Sequence, residues 1–96
     1  MGYSLQFDPD VRHYLANCPG LSRADRVKLF GHLDTLRDQG DAYRSDGTRR
    51  LSPGSEHFSL DFAFHAEAGG MRLFRFVVND ASASYGVLRI VYADER

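Results

Sequence analysis

Two arginines within one predicted strand are the residues whose chemistry most needs an explanation. Residues 71–79 read MRLFRFVVN, and their aromatic and β-branched side chains predict a β-strand. Arg72 and Arg75 stand three positions apart, so the alternation of a strand directs them to opposite faces of a sheet. A guanidinium group suits planar contacts with phosphate. An arginine on an exposed sheet face would therefore offer a place for a polyanion.

The neighbours of each arginine predict which of them is exposed. Arg72 shares its face with Phe74 and Phe76, which we expect to lie in the core. Arg75 shares its face with Leu73 and Val77, and we expect it to be the exposed one. Since Arg72 lies near the start of the strand, its stem can cover apolar surface while its guanidinium reaches solvent.

Composition limits the class of protein. The 96 residues suit one domain, and 12 basic residues against 13 acidic ones give a formal charge of −1. This balance does not favour broad attraction to nucleic acid. Cys18 is the single cysteine, which excludes an internal disulfide. The chain shows neither a signal peptide nor an apolar run that could span a bilayer, so we expect a cytoplasmic protein with no membrane partner.

The first half of the chain predicts one short strand and two helices. Residues 3–7 alternate as a half-buried strand, and Asp8 and Pro9 begin a helix that ends at Pro19 and Gly20. Ser22, with Asp25 three positions later, is typical of a capping box for a second helix that ends at Gly40. Residues 40–55 then predict a long loop, with Leu51 reaching the core.

The second half predicts three strands. In residues 57–65 the side chains of Phe58, Leu60, Phe62 and Phe64 form a core face, and Gly69 and Gly70 form the turn into residues 71–79. The last strand covers residues 86–93. The predicted fold class is α+β, a two-layer β-α-α-β-β-β arrangement with an antiparallel sheet packed against a helical hairpin.

This order, together with several short motifs in residues 51–96, resembles a known family. The motifs are Leu51-Ser52-Pro53-Gly54, the strand Phe58 to Phe64, Met71-Arg72-Leu73-Phe74-Arg75, and the closing strand Val87 to Tyr92. They resemble the RelE/ParE superfamily of bacterial toxins, in particular its RelE- and HigB-type members. The resemblance implies a single RelE/ParE-like domain over residues 1–96. It also implies the toxin component of a toxin–antitoxin system that binds a cognate antitoxin and cleaves mRNA on the ribosome, with a homodimer as a further expectation.

The resemblance also implies a set of site residues. RNA cleavage by attack of a 2′-hydroxyl on the adjacent phosphate needs a base and cations that stabilise the developing charge. The implied catalytic residues are His65, Arg72 and Arg75. The implied substrate-binding residues are Arg49, Arg50, Arg89 and Tyr92. No cofactor is implied, and no metal ion, because His57 and His65 stand about 26 Å apart along a strand and cannot share one.

Two departures from the family pattern leave other functions open. Asp61 and Ala63 stand where such nucleases usually carry lysine or arginine, and Asp94 stands near another arginine position. These acidic residues and the near-zero charge favour a non-catalytic interaction module that uses the sheet face or edge to bind a partner peptide. A ParE-like gyrase inhibitor is a third hypothesis, and it too would lack nuclease residues.

Overall fold

The helices and strands follow each other in the predicted order. The computed structural model describes residues 2–96, so that Met1 of the predicted 1–96 domain lies outside the described residues. The elements are β1 (Ser4–Phe7), α1 (Pro9–Asn17), α2 (Arg23–Ser45), β2 (His57–His65), β3 (Met71–Asn79), a short 3₁₀ helix (Ala83–Tyr85) and β4 (Val87–Glu95). Among residues 2–96, no helix combines the length and the apolar character that crossing a membrane requires.

Both helices begin where the sequence predicts, for different physical reasons. Pro9 stands at the start of α1, where its missing N–H costs nothing. The N-cap residue Asp8 makes no side-chain capping bond, and its carboxylate accepts a hydrogen bond from Arg89 Nη2 at 2.6 Å. In α2 the predicted capping box is present. Ser22 Oγ accepts from the N–H of Asp25 at 3.1 Å, and Asp25 Oδ2 accepts from the N–H of Ser22 at 3.1 Å.

The predicted end of α2 at Gly40 is wrong, because the helix continues to Ser45. A Cβ at Gly40 would lie 3.0 Å from Leu88 Cδ1 and 3.0 Å from ring atoms of Tyr3. The glycine therefore serves close approach between the helix and the sheet rather than helix termination. Leu51 was predicted to reach the core, but it is 56% exposed. Arg50 instead holds this part of the loop, with its guanidinium 5.6 Å from the ring centroid of Phe58.

The sheet is mixed rather than purely antiparallel. Its strand order is β1-β4-β3-β2. The β2–β3 and β3–β4 pairs are antiparallel as predicted, whereas β1 pairs in parallel with β4. The antiparallel prediction was therefore wrong for β1. Parallel neighbours need a long crossover connection, and the helices with β2 and β3 provide one between β1 and β4.

The helices cover one face of the sheet, and the predicted core faces of β2 and β3 are confirmed. Phe58, Phe74 and Phe76 have no exposed surface, and Leu60 and Phe64 are buried beside them. Leu15 of α1 and Leu29, Leu33 and Leu36 of α2 complete this layer. We call the opposite side of the sheet the open face. It carries Met71, Leu73 and Tyr92, which are 59%, 37% and 51% exposed.

Candidate functional site

Cross-strand pairing determines which side chains meet on the open face. Residues directly opposite each other in neighbouring strands point to the same face of a sheet. The rows that cross the open face are Asp61, Arg75 and Asp94, then Ala63 with Leu73, then Ser59, Val77 and Tyr92. A register shift between Val77 and Val78 places a β-bulge in the β3–β4 pair beside these rows. The open face therefore combines charged and apolar side chains at its centre.

Arg75 occupies the middle of the charged row, between two carboxylates. Its Nε lies 3.0 Å from Asp61 Oδ1, and both side chains are partly exposed. This hydrogen bond from Arg75 to Asp61, aided by the charge of Asp94, raises the pKa of Arg75. The prediction that Arg75 lies on the exposed face is confirmed. Its positive charge, however, is balanced within the row.

Tyr92 and Arg96 surround the second carboxylate of this row. The Tyr92 hydroxyl donates to Asp94 Oδ2 at 3.2 Å, and Arg96 Nη1 lies 3.9 Å from the same oxygen. The hydrogen bond to Asp94 raises the pKa of Tyr92, because ionisation would place two anions side by side. Asp94 Oδ1 is buried, and no hydrogen-bond donor among residues 2–96 reaches it. We call Asp61, Arg75, Tyr92 and Asp94 the open-face cluster.

Arg72 lies on the other side of the sheet, where it forms a structural clamp. Its Nε and Nη2 donate to the two oxygens of Glu95 at 2.7 and 2.6 Å, a bidentate pair. The guanidinium also lies 5.5 Å from the ring centroid of Phe74, and the side chain is only 17% exposed. The hydrogen bond to Glu95 raises the pKa of Arg72, and the same bond lowers the pKa of Glu95. The predicted pair of catalytic arginines is therefore separated by the sheet itself.

The clamp also ties the end of α1 to the sheet. Arg72 Nη2 donates to the carbonyl of Pro19 at 3.1 Å and lies 3.8 Å from Cys18 Sγ. Gly20 follows with a φ of +74°, and a Cβ there would lie 3.1 Å from Arg72 Nη1. The glycine thus allows both the turn and the close approach of the guanidinium. These contacts give Arg72 a role in packing that the sequence did not reveal.

The remaining predicted arginines also have carboxylate partners. Arg89 Nη2 lies 2.6 Å from Asp8 Oδ1, at the β1 side of the open face. In the segment after α2, Arg49 Nε lies 3.3 Å from Asp46 Oδ2, and Arg50 Nη2 lies 2.7 Å from Asp80 Oδ2. Arg49 also stacks over the ring of Tyr43, 5.0 Å from its centroid. Each of the five arginines assigned to the predicted site is thus paired with an acidic side chain.

His65 lies on the open face but away from Arg75. It is exposed at the last position of β2, opposite Met71. Arg75 is opposite Asp61, four residues back along β2, which corresponds to about 13 Å of strand. A base at His65 and a cation at Arg75 would therefore not contact the same phosphate. The carbonyl of His65 accepts a hydrogen bond from Lys28 Nζ at 3.1 Å.

The pocket nearest the open-face cluster is open to solvent. A shallow groove of about 280 Å³ runs between α1 and β4, lined by Asp10, Val11, Tyr14, Val91, Tyr92 and Ala93. Small-molecule sites usually measure roughly 300–1,000 Å³ and enclose most of their ligand. Within residues 2–96, no three His, Cys, Asp or Glu side chains are placed to hold a metal ion. The open-face cluster remains the most distinctive polar arrangement that we found.

Sequence reasoning found the arginines but not their partners. Asp8, Asp46, Asp80 and Glu95 were not assigned to the site, although the near-equal numbers of basic and acidic residues were a signal. Comparisons of the chain with protein-family models, with curated proteins and with solved structures gave no match. The argument for function therefore depends on the geometry of these residues.

Proposed function

We propose that this protein is a non-catalytic protein-interaction module that binds another protein through its open face. The observation that carries the proposal is the pairing of all five candidate arginines with carboxylates. On the open face, Leu73 and, at the hairpin end of β3, Met71 leave apolar surface exposed near the pair of Arg75 and Asp61. Exposed apolar surface bordered by polar groups is typical of protein interaction sites.

The charge pattern disfavours a polyanion. A phosphate that approached Arg75 would meet the negative charges of Asp61 and Asp94. Bringing a polyanion next to these two carboxylates costs electrostatic free energy. A protein segment avoids this cost because it can supply both donors and acceptors. It can also leave the pair between Arg75 and Asp61 intact while its apolar side chains cover Leu73.

The same face indicates the chemistry of the partner. Leu73 and Met71 would pack against apolar side chains of the partner. The open-face cluster would bind polar side chains of both charge signs at one end of the contact. An amphipathic segment of another protein meets both requirements. Within this proposal the protein needs no cofactor and acts in the cytoplasm.

A RelE/ParE-like toxin is the second candidate, and the order of the elements favours it. The chain has the β-α-α-β-β-β order that suggested this family, with Arg75 on the open face. The cognate antitoxin would then be the protein partner, and the ribosome with its mRNA, or gyrase for a ParE-like member, would be the target. The placement of Arg72 against Glu95 gives the nuclease less support than the interaction module.

A photo-crosslinking experiment tests the interaction module. A photoreactive amino acid would replace Leu73 on the open face or, as a matched control, Val27, an exposed aliphatic residue on α2 that is 66% exposed. In the cells that naturally produce the protein, we expect a discrete protein adduct from position 73 and none from position 27. Equal labelling from both positions, or none from position 73, would contradict the proposal.

Induced expression tests the second candidate. Growth arrest with mRNA cut inside translated codons would select the nuclease, and arrest with DNA damage would select gyrase inhibition. If the nuclease is correct, Arg75→Ala should abolish cleavage at an equal level of folded protein. The interaction module instead predicts that neither form of damage accompanies expression.

A further inference from the structure

β2 forms an edge of the sheet, and only its first part is covered. The loop segment before β2 pairs with it, since the N–H of Leu51 donates to the carbonyl of His57 at 3.2 Å and the N–H of Ser59 donates to the carbonyl of Arg49 at 2.8 Å. Beyond Ser59, no backbone group among residues 2–96 pairs with this side of the strand. Exposed strand edges of this kind are templates for another strand.

The hydrogen bond of Ser59 identifies which backbone groups are exposed. In a strand, N–H and C=O groups of alternate residues point to the same side. Because the N–H of Ser59 points away from β3, the backbone groups of Asp61, Ala63 and His65 do so as well. The carbonyl of His65 already accepts a hydrogen bond from Lys28, but a carbonyl oxygen can accept two, so the backbone groups of Asp61, Ala63 and His65 remain for a partner.

β2 also lacks two of the features that usually protect an edge. It has no proline, and its pairing with β3 runs without a register shift from His57 to His65. Natural edges are commonly protected by proline, bulges, short strands or charged side chains, and on this edge the charged residue is Asp61. The uncovered part of β2 is therefore regular enough to accept a new strand.

We propose that a second copy of this chain pairs antiparallel along this edge, with Ala63 opposite Ala63 of the second copy. This register places Asp61 opposite His65 of the second copy, and by symmetry the same pair forms at the other end. Behind them, Phe62 lies opposite Phe64 of the second copy. Polar pairs of opposite character and aromatic pairs both stabilise neighbouring strands. The sequence of this edge is thus complementary to itself.

Neighbouring registers lose this complementarity. In one alternative register Phe62 lies opposite Phe62, and Asp61 then lies opposite Ala63. His65 would lie opposite Ser59, whose N–H already donates to the carbonyl of Arg49. If the strands slip the other way, His65 lies opposite Ala63 and Asp61 meets no strand residue. The register centred on Ala63 alone uses residues 61–65 of both copies and leaves the covering segment in place.

The consequence for the molecule is a sheet of eight strands. The two-fold axis of such a pair runs perpendicular to the sheet, so both open faces lie on the same side. The dimer would present two open-face clusters to a partner and could increase its apparent affinity by bivalent binding. The pairing itself does not depend on the function proposed above for the open face.

Sedimentation equilibrium of the full chain tests the register through a charge exchange. His65→Asp places two carboxylates opposite each other at both ends of the pairing, and we expect the dimer to weaken about tenfold, since like charges opposite each other destabilise strand pairs. Combining His65→Asp with Asp61→His again places a histidine opposite each aspartate, and this should restore most of the lost dimer affinity. A Leu73→Lys control changes the open face but not the edge, so its dimer should match the wild type.

A second variant tests the edge without altering charge. Ala63→Pro removes an N–H that points away from β3, so the β2–β3 bonds remain and the chain should stay folded by circular dichroism. We expect this folded variant to be monomeric. A wild-type monomer at several hundred micromolar, a dimer unaffected by Ala63→Pro, or failure of the charge exchange to restore association would overturn the proposal.

Discussion

Arg72 and Arg75 show how neighbouring residues of one type acquire different roles. The period of the strand places them on opposite faces, and this could be predicted from their phenylalanine and leucine neighbours. Their partners could not be predicted, because Glu95 lies 23 positions from Arg72 and Asp61 lies 14 positions from Arg75. Pairing over such separations depends on strand register, which the local sequence does not determine.

The different surroundings of the two arginines predict different effects on stability. Arg72→Gln removes the bidentate bond to Glu95 and the bond to Pro19, so we expect the free energy of unfolding to fall by about 2 kcal/mol. Arg75→Gln removes a partly exposed pair, and we expect no measurable change. Urea denaturation of both variants measures the difference. Equal losses would contradict the clamp assigned to Arg72.

Asp25 is the buried carboxylate that joins α2 to the hairpin between β2 and β3. Its Oδ1 accepts from the N–H of Glu67 at 3.0 Å, while Oδ2 completes the capping box. Burial alone would raise the pKa of Asp25, but the N–H groups of Ser22 and Glu67 lower it overall. At pH values above the pKa that Asp25 has in the unfolded chain, its ionised carboxylate stabilises the folded state. This stabilisation is lost as the pH falls through the lower pKa that Asp25 has in the folded state.

A substitution at this position should change the response to acid. Asp25→Asn should lower the melting temperature by several degrees at pH 7, and the difference from the wild type should shrink as the pH falls below 3.8. Asp34→Asn on the exposed side of α2 is the matched control, with little expected effect. Thermal melts between pH 2 and pH 7 measure this. A difference that stays constant over that range would contradict the role of the carboxylate.

At the scale of elements, the start of α2 could be predicted and its end could not. Ser22 and Asp25 form a local signal, because the capping box closes within four residues. Gly40 resembles a helix-ending glycine, and only the positions of Tyr3 and Leu88 show that it serves packing. The parallel pairing of β1 with β4 was missed for the same reason, since it joins the two ends of the chain.

Two glycines of α2 provide a matched test of this packing. Gly31 has no atom within 4 Å of the position of an added Cβ, so Gly31→Ala should stabilise the protein by up to about 1 kcal/mol through helix propensity. Gly40→Ala gains the same propensity but places its methyl group 3.0 Å from Leu88 and Tyr3, so we expect net destabilisation. Denaturation midpoints compare the two. A stabilising Gly40→Ala would contradict the close contact between α2 and the sheet.

At the scale of the whole molecule, the two-layer α+β architecture was predictable and the site was only partly so. Alternating phenylalanines in β2 and β3 identified the core face, which in turn identified the open face. The resemblance to RelE/ParE toxins suggested arginines for a polyanion, but the fold pairs each of them with a carboxylate. The near-zero net charge was the sequence property that best anticipated this result.

The central claim is that carboxylates neutralise the open face and prevent it from binding a polyanion. The most direct test is a titration of labelled single-stranded RNA at low salt with the wild type and with the Asp61→Asn, Asp94→Asn double variant. We expect no saturable binding of the wild type up to roughly 100 µM, and salt-dependent binding of the double variant in which Arg75 is released. Micromolar binding by the wild type that Arg75→Ala abolishes would contradict the account.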